Sequence, residues 1–194
     1  MIPEEEIGIE ADIRHAAEVL RNGGIILYPT DTVWGLGCDP TNSAAVDKIF
    51  SIKKRDKDKS LLMLVDSESR LRNYVKDIPE IAYELIDVAV RPLTIIYDAV
   101  SGIAPTACAD DGSAGIRITK ERFSSALCRK FGKPVVSTSA NFSGKPSPKR
   151  FSEIDPELIA KADYVVRYRQ KDESAAEPSD IIKVSEGGLI KIIR

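Results

Sequence analysis

Apolar residues recur along the chain at two spacings, which predict strands and helices in alternation. Short β-branched or aliphatic runs are typical of buried strands, and apolar residues three or four positions apart are typical of helix faces. The strand runs are 24–28, 61–65, 93–97, 114–118, 134–137, 164–166, 180–184 and 189–193. The helical segments are 13–20, 43–53, 67–74, 79–86 and 123–131, with a short one starting at Asp155-Pro156.

Strands that alternate with helices indicate an α/β fold with a twisted mixed sheet, parallel and antiparallel, flanked by helices. The last two strand runs flank Glu186-Gly187-Gly188 and predict a closing hairpin. The 194 residues suit a single domain spanning 1–194. No GxGxxG follows the first strand and no GxxxxGK[ST] occurs, so neither a standard dinucleotide-binding fold nor a P-loop NTPase is supported.

Capping residues set the expected helix ends. Asp12 is expected to cap the first helix and Gly23 to end it. Asn42 or Ser43 is expected to cap the second helix, which should end near Lys53.

The first strand leads into the first group of residues that can do chemistry. Because proline lacks a backbone N–H, the strand should end before Pro29, which leaves Thr30, Asp31 and Thr32 at its carboxyl end. Ligands bind at this edge in open α/β sheets. The same side chains can instead bond only the local backbone of an ordinary turn, and both interpretations are open at this point.

A run of cations follows the second helix. Lys53, Arg55 and Lys59 lie at and beyond its expected end, just before the buried strand 61–65. Cations at a helix C-terminus complement the helix dipole, and exposed ones are usually solvated. A basic loop that leads into a buried strand is also suited to bind phosphates.

A second cation stands inside a strand. Arg117 is flanked by isoleucines, where an unpaired buried charge is costly, so it must face solvent, pair with a carboxylate or meet an anionic ligand. Further on, Ser137, Ser139 and Asn141 lie at the end of another strand. Such small polar side chains offer donors and acceptors with little bulk, or bond only the nearby backbone.

Composition narrows the classes of function. The formal net charge is −2, which disfavours a dedicated nucleic-acid binder. The three cysteines are odd in number and form no CxxC pair, which argues against a disulfide framework or a cysteine zinc site and favours a reducing cytoplasm. The single histidine, His15, is expected at a helix surface, which argues against a Ser-His-Asp triad. We find no signal peptide and no apolar run that could span a membrane.

Six motifs occur in order along the chain. They are 28–40, 53–61, Arg91-Pro92-Leu93-Thr94, Ala114-Gly115-Ile116-Arg117, 137–144 and Pro178-Ser179-Asp180-Ile181-Ile182, with Arg194 at the end. In this order they resemble the YrdC-like family, the threonylcarbamoyl-AMP synthases, over nearly the whole chain. The resemblance implies a YrdC/RibB-like fold.

The resemblance also implies an enzyme, a nucleotidyltransferase that makes threonylcarbamoyl-AMP and pyrophosphate from ATP, L-threonine and bicarbonate. Downstream threonylcarbamoyl-transferase proteins would then modify an adenosine of tRNA, with which the enzyme itself could make a weak contact. Magnesium would accompany ATP, with its protein ligands unassigned.

Matched residue by residue, the resemblance implies two sets of site residues. It assigns Thr32, Arg117, Ser137 and Ser179 to L-threonine. It assigns Lys53, Arg55, Lys59, Ser113, Ser139, Asn141, Ser147 and Arg194 to ATP, with Lys53 and Arg55 as catalytic residues. The chain departs from the family at Leu64, where many members have a histidine near threonine, at Asp180, where they have a threonine, and at Trp34, where tyrosine is common.

Two other classes of protein stay open. One is an RNA-binding module without its own catalysis, carried by the basic residues within 48–59 and 145–150. The absence of aromatic residues among these charges weakens it. The other is a carbamoyl-transfer domain of the kind found in hydrogenase maturation proteins, although the acylphosphatase and zinc-finger segments of those proteins are not found in this sequence.

Overall fold

The computed structural model describes residues 4–54 and 61–194, and side chains from Gly8 onward. Six α-helices lie in these ranges: α1 (Glu4–Arg21), α2 (Ser43–Lys53), α3 (Glu68–Leu71), α4 (Glu80–Val88), α5 (Arg122–Phe131) and α6 (Pro156–Ile159). The strands described there are β1 (Ile26–Tyr28), β2 (Gly35–Gly37), β3 (Leu62–Val65), β4 (Leu93–Tyr97), β5 (Ala114–Ile118), β6 (Val135–Val136), β7 (Thr138–Ser139), β8 (Tyr164–Val165), β9 (Asp180–Val184) and β10 (Ile190–Ile192). Two short 3-10 helices cover Pro105–Ala107 and Phe151–Glu153.

The strands form two mixed sheets, where the sequence indicated one. The four-stranded sheet has the order β7-β2-β1-β8, and the six-stranded sheet has the order β10-β9-β4-β5-β3-β6. Strands β3 and β5 are parallel, as are β4 and β9, and β9 and β10 form the expected antiparallel hairpin. The chain passes from the larger sheet to the smaller one between β6 and β7, where Ser137 is the single intervening residue.

The two faces of the six-stranded sheet have different residues. Register places Leu62, Leu64, Gly115 and Arg117 on one face, because paired residues of parallel strands point the same way. The alternate residues of the same strands point to the other face and join the main hydrophobic core, among them Met63, Ile95, Ile116 and Ile182. A polar group at Arg117 therefore belongs to the face turned away from this core.

A second hydrophobic cluster lies where α1 packs against α5. Ala16 and Leu20 of α1 meet Phe123 and Leu127 of α5, and all four are fully buried. The cluster extends to Tyr28 at the end of β1. This packing fixes the strand that precedes the Thr30–Thr32 turn.

Several helix ends agree with the capping signals and one does not. Asn42 caps α2 by accepting from the N–H of Ala45 at 3.2 Å, as expected, and α1 ends at Arg21, just before Gly23. The assignment of Asp12 as an N-cap is wrong, because α1 begins at Glu4. Asp12 is 2% exposed, and its carboxylate accepts instead from the N–H groups of Arg167 and Tyr168, both at 2.9 Å.

Two further expectations concern single residues and membrane insertion. His15 is exposed on α1, as predicted. No helix in the described ranges is both long enough and apolar enough to cross a membrane.

Candidate active site

A cavity of about 300 Å³ lies at the junction of the two sheets. Seven of the residues predicted from the sequence line it: Thr32, Arg117, Ser137, Ser139, Ser147, Ser179 and Arg194. They are spread along the chain from Thr32 to Arg194, so the fold brings them together. A larger cavity, of about 810 Å³, lies between α1 and the turn 167–172, and none of the predicted site residues lines it.

Arg117 supplies the buried positive charge of the cavity. It is 3% exposed, and its Nη2 atom lies 2.9 Å from Oδ1 of Asp31. Nη2 also donates to Oγ1 of Thr32 at 3.2 Å, and Nη1 donates to Oγ1 of Thr94 at 3.3 Å. The Nε–H group is buried and has no hydrogen-bond partner. Of the three surroundings predicted for this arginine, exposure to solvent is ruled out and pairing with a carboxylate is observed. The guanidinium still has an unpaired donor that could bond an anion.

The turn after β1 combines the two interpretations that its sequence allowed. Thr30 Oγ1 donates to the carbonyl of Val33 at 2.8 Å and accepts from the N–H of Thr32 at 3.0 Å, so it does bond the local backbone. Thr32 Oγ1 lies 3.0 Å from Thr30 Oγ1 and also accepts from Arg117. The turn therefore holds the Thr32 hydroxyl at the cavity wall.

Ser137 occupies the corner where the two sheets meet. Its N–H donates to the carbonyl of Leu62 in β3 at 2.7 Å, and its hydroxyl lies against the Tyr28 phenol. Burial raises the pKa of Tyr28, so its hydroxyl stays protonated and donates to the carbonyl of Val136 at 3.0 Å.

Gly35, in β2, borders the same corner. A Cβ atom there would lie 3.1 Å from Ser137 Oγ, which is tighter than ordinary van der Waals contact. This position of the cavity wall therefore suits glycine.

Ser179 and Arg194 form the opposite wall. Ser179 is 4% exposed, and its hydroxyl lies 2.8 Å from Oγ1 of Thr94, which also accepts from Arg117. The Arg194 guanidinium donates to the Ser179 carbonyl through Nε at 3.1 Å and Nη2 at 3.0 Å. Ser179, just before β9, is thus connected with Arg117 through the Thr94 hydroxyl, and Arg194, just after β10, is bonded to the same serine.

Lys53 lies behind the loop 139–141. Its side chain is 3% exposed, and its ammonium group donates to the carbonyl oxygens of Ser139 and Asn141, the latter at 2.7 Å. The Asn141 side chain in turn accepts from the Ser139 hydroxyl and donates to the Lys145 carbonyl at 2.6 Å. Lys53 and Asn141 are near the cavity and shape its wall, but do not line it.

Ser113 is not brought to the cavity. It is 5% exposed and lies at the other end of β5 from Arg117. Its hydroxyl and its N–H group bond the Asp111 carboxylate, which holds the pKa of Asp111 at about 2. The prediction that Ser113 binds ATP receives no support from this position. Arg55 and Lys59 lie outside the described residues.

Three residues of the site were not assigned from the sequence. Asp31 pairs with Arg117, Thr94 bonds both Arg117 and Ser179, and Arg169 donates to the Thr30 carbonyl at 3.0 Å. The position of Asp31 at a strand end was a usable signal. Arg169 follows β8, and its backbone φ of 63° lies in the left-handed region, which is uncommon for a residue other than glycine.

The described residues contain no group of three or more His, Cys, Asp or Glu side chains that could hold a metal ion.

Comparison with known proteins places the chain in a family. A family model named Sua5_yciO_yrdC, described as telomere recombination, matches residues 18–194. The chain belongs to the Sua5/YciO/YrdC family. It is 33% identical over 184 residues to the threonylcarbamoyl-AMP synthase of Xanthomonas euvesicatoria pv. vesicatoria (strain 85-10), covering 93% of this chain and 97% of that one.

Solved members of the Sua5/YciO/YrdC family have the same fold. The structure of P. abyssi Sua5 complexed with L-threonine matches with a TM-score of 0.76 and 28% identity. The match covers 88% of this chain and 50% of the P. abyssi chain, so this chain spans about half the length of that Sua5. E. coli YciO matches with a TM-score of 0.82 and 21% identity over 100% of this chain and 90% of that one, which supports the fold alone. The predicted family and the predicted α/β class are confirmed.

Proposed function

We propose that this protein is a threonylcarbamoyl-AMP synthase, the enzyme for which its Xanthomonas relative is named. It is a nucleotidyltransferase, and ATP and L-threonine are its substrates. The observation that carries the proposal is the buried Arg117. In a chain of this family, it lines a cavity together with serine and threonine residues that include Thr32, Ser137, Ser139 and Ser179. The RNA-binding module is less favoured, because the relatives are named for catalysis.

The cavity has the chemistry that an amino acid needs. A guanidinium group bonds a carboxylate through parallel N–H donors, and the Arg117 side chain lines the cavity. Thr32, Ser137 and Ser179 place hydroxyls around the same space, where they can bond the hydroxyl of threonine. We assign these four residues to L-threonine. Leu64 stands on the same sheet face as Arg117 but is fully buried in the second hydrophobic cluster, and Leu62 is the β3 residue that lines the cavity.

We assign the ATP end of the site to the segment that follows β7. Ser139 and Ser147 line the cavity, and Arg194 brings a cation to its rim. Arg55 and Lys59 are proposed to neutralise the triphosphate, and Mg²⁺ would arrive with ATP and offset more of the phosphate charge. Lys53 supports this end from behind, because its ammonium is bonded to the backbone of Ser139 and Asn141.

The proposed reaction has two bond-forming steps. The threonine nitrogen takes up the carbon of bicarbonate as a carbamate, with loss of water and a proton. A carbamate oxygen then attacks the α-phosphorus of ATP, and the bond from that phosphorus to the bridging oxygen breaks as pyrophosphate leaves with the electron pair. Because the carbamate is already anionic, the second step needs a positioned nucleophile and neutralised phosphates rather than a general base.

Other partners and the location belong to the same proposal. Transfer proteins that carry the threonylcarbamoyl group to tRNA would consume the product, and a weak contact of this protein with tRNA would bring the two steps together. The expected location is the cytoplasm, since a reducing compartment fits Cys38, Cys108 and Cys128, which all carry free thiols.

Pyrophosphate release tests the proposal. The protein is incubated with ATP and Mg²⁺ and with each amino acid in turn, with and without bicarbonate. We expect release only with L-threonine and bicarbonate, together with a product of the mass of threonylcarbamoyl-AMP. Release without an amino acid would contradict it, as would no turnover combined with a salt-dependent gel shift of tRNA in the absence of nucleotide, which would favour the RNA-binding module.

A further inference from the structure

Asp31 is the acidic partner of the buried arginine, yet it does not line the cavity. Its Oδ1 atom lies 2.9 Å from Arg117 Nη2, and the two side chains are 14% and 3% exposed. The residues that line the cavity include Thr32 and Arg117 but not Asp31. Asp31 lines a separate cavity of about 190 Å³ instead, with Leu93 and Ile118. The carboxylate therefore contacts the guanidinium without lining the proposed amino-acid pocket, and Arg91 and Lys120 line the same smaller cavity as Asp31.

The ion pair is held by charge rather than by an aligned hydrogen bond. Oδ1 of Asp31 is buried and has no hydrogen-bond partner, although Nη2 is only 2.9 Å away. The hydrogen bonds that Nη1 and Nη2 make go to the hydroxyls of Thr94 and Thr32, at 3.3 and 3.2 Å. Hydroxyl groups orient a guanidinium but do not balance its charge. Asp31 supplies the balancing charge at this position, and an uncompensated buried charge is strongly unfavourable.

We propose that Asp31 is a positioning residue for the amino-acid substrate, which acts through Arg117. Its carboxylate keeps the guanidinium buried at the cavity wall, between Thr32 and Thr94, so that the remaining donors meet the substrate carboxylate in a fixed orientation. Without this charge, turning toward water lowers the free energy of the arginine side chain. The pocket then loses the guanidinium that binds the anion. This inference rests on the proposed function, because it concerns the binding of the same amino acid.

Steady-state kinetics of Asp31→Asn test the inference. The variant keeps the shape of the side chain and removes its charge. We expect the threonine KM to rise at least about tenfold, while kcat changes by less than about threefold and the ATP KM by less than about twofold. Asp31→Glu keeps the charge but displaces it by a methylene, and should have a threonine KM between those of the wild type and Asp31→Asn.

A matched control separates positioning from a general effect of losing a buried carboxylate. Asp39 is 6% exposed and pairs with Lys133 at 2.8 Å, on the same chain segment but without contact to Arg117. Asp39→Asn should lower the melting temperature and leave the threonine KM unchanged. Arg117→Lys should itself raise the threonine KM at least about tenfold, because a single ammonium cannot reproduce the paired donors of a guanidinium. In that background, adding Asp31→Asn should change the threonine KM by less than about threefold.

The outcomes distinguish this inference from the proposed function. If the wild type releases no pyrophosphate with threonine, the proposed function fails. If the wild type is active, the inference is overturned by an unchanged threonine KM in Asp31→Asn, by an equal rise in the ATP KM, or by full additivity with Arg117→Lys. If Asp31→Asn does not fold, Asp31→Glu decides, and a wild-type threonine KM in that variant overturns the inference.

Discussion

Replacing Lys53 by methionine should weaken both the folded state and the binding of ATP. The ammonium of Lys53 is buried and donates to the carbonyls of Ser139 and Asn141. Methionine fills a similar volume but cannot donate, so two carbonyls at the cavity wall lose a charged donor. The resemblance assigns Lys53 to phosphate chemistry, whereas its position in the structure favours a role in holding this loop.

The magnitude follows from these two hydrogen bonds. A hydrogen bond to a charged group contributes about 1.5–3 kcal/mol, and removing the ammonium also removes the cost of burying it. We therefore expect a net loss of about 2–4 kcal/mol in the free energy of unfolding. For a chain of this size, each kcal/mol corresponds to about 2–4 °C, so the melting temperature should fall by about 5–15 °C.

Lys48→Met is the matched control, on the same helix. Lys48 is exposed, and its ammonium donates to one carbonyl, that of Gly23, at 3.3 Å. It should cost less than about 1 kcal/mol, because exposed polar contacts are weak. Thermal unfolding and calorimetric titration with ATP measure both variants. A Lys53→Met protein with wild-type stability and strongly reduced ATP affinity would refute the reasoning, since the ammonium would then act on the phosphates.

Three further predictions concern other parts of the protein. Arg55→Ala and Lys59→Ala should each weaken ATP binding by about 1.5–3 kcal/mol with the fold intact, and unchanged affinity in calorimetry would contradict their assignment to ATP. Serine should be a poor substrate and valine a worse one, because a site that bonds a hydroxyl rejects an analogue without it. Thr32→Val should narrow the gap between threonine and valine, and valine turning over as well as serine in the wild type would contradict this assignment.

The last of the three concerns pH. Hydrogen bonds from Ser113 lower the pKa of Asp111 to about 2, so its carboxylate stabilises the fold above the unfolded value of about 3.9 and loses this effect as the pH falls toward 2. Asp111→Asn should therefore be less stable than the wild type at pH 7, and the difference in urea midpoint should shrink below about pH 4. A constant difference would show that the charge is not the cause.

Local patterns predicted the strands well where each strand is bounded by its own sequence. The runs 93–97 and 114–118 match β4 and β5 residue for residue, because apolar β-branched runs and flanking turn residues depend only on neighbours in the chain. The Asp12 assignment failed because its carboxylate meets N–H groups at positions 167 and 168. The local sequence around an aspartate cannot distinguish a helix cap from a carboxylate that bonds a distant backbone N–H.

The division into two sheets also depends on distant contacts. The run 134–137 predicts one strand followed by a polar strand end. The structure has β6 there, which pairs with β3 in one sheet, and then a further strand, β7, at 138–139, which pairs with β2 in the other. The surroundings of Arg117 also depend on distant contacts, because its local sequence allowed three alternatives and did not decide between them. The choice depends on Asp31, which lies in the turn after β1, a strand of the other sheet. The single-domain assignment, the ATP residues and the metal stay predictions.

The cavity wall is built largely from serine and threonine, which has a consequence for the entropy of binding. These short side chains have few rotamers to lose, whereas each long flexible side chain that a ligand must immobilise costs roughly 0.5–1.5 kcal/mol. Arg117 is the long side chain at the centre of the wall, and its contacts with Asp31, Thr32 and Thr94 already fix it before any substrate arrives. The side-chain entropy of this part of the pocket is therefore lost during folding. Binding of a small metabolite then loses little further entropy from the protein here, which favours its affinity.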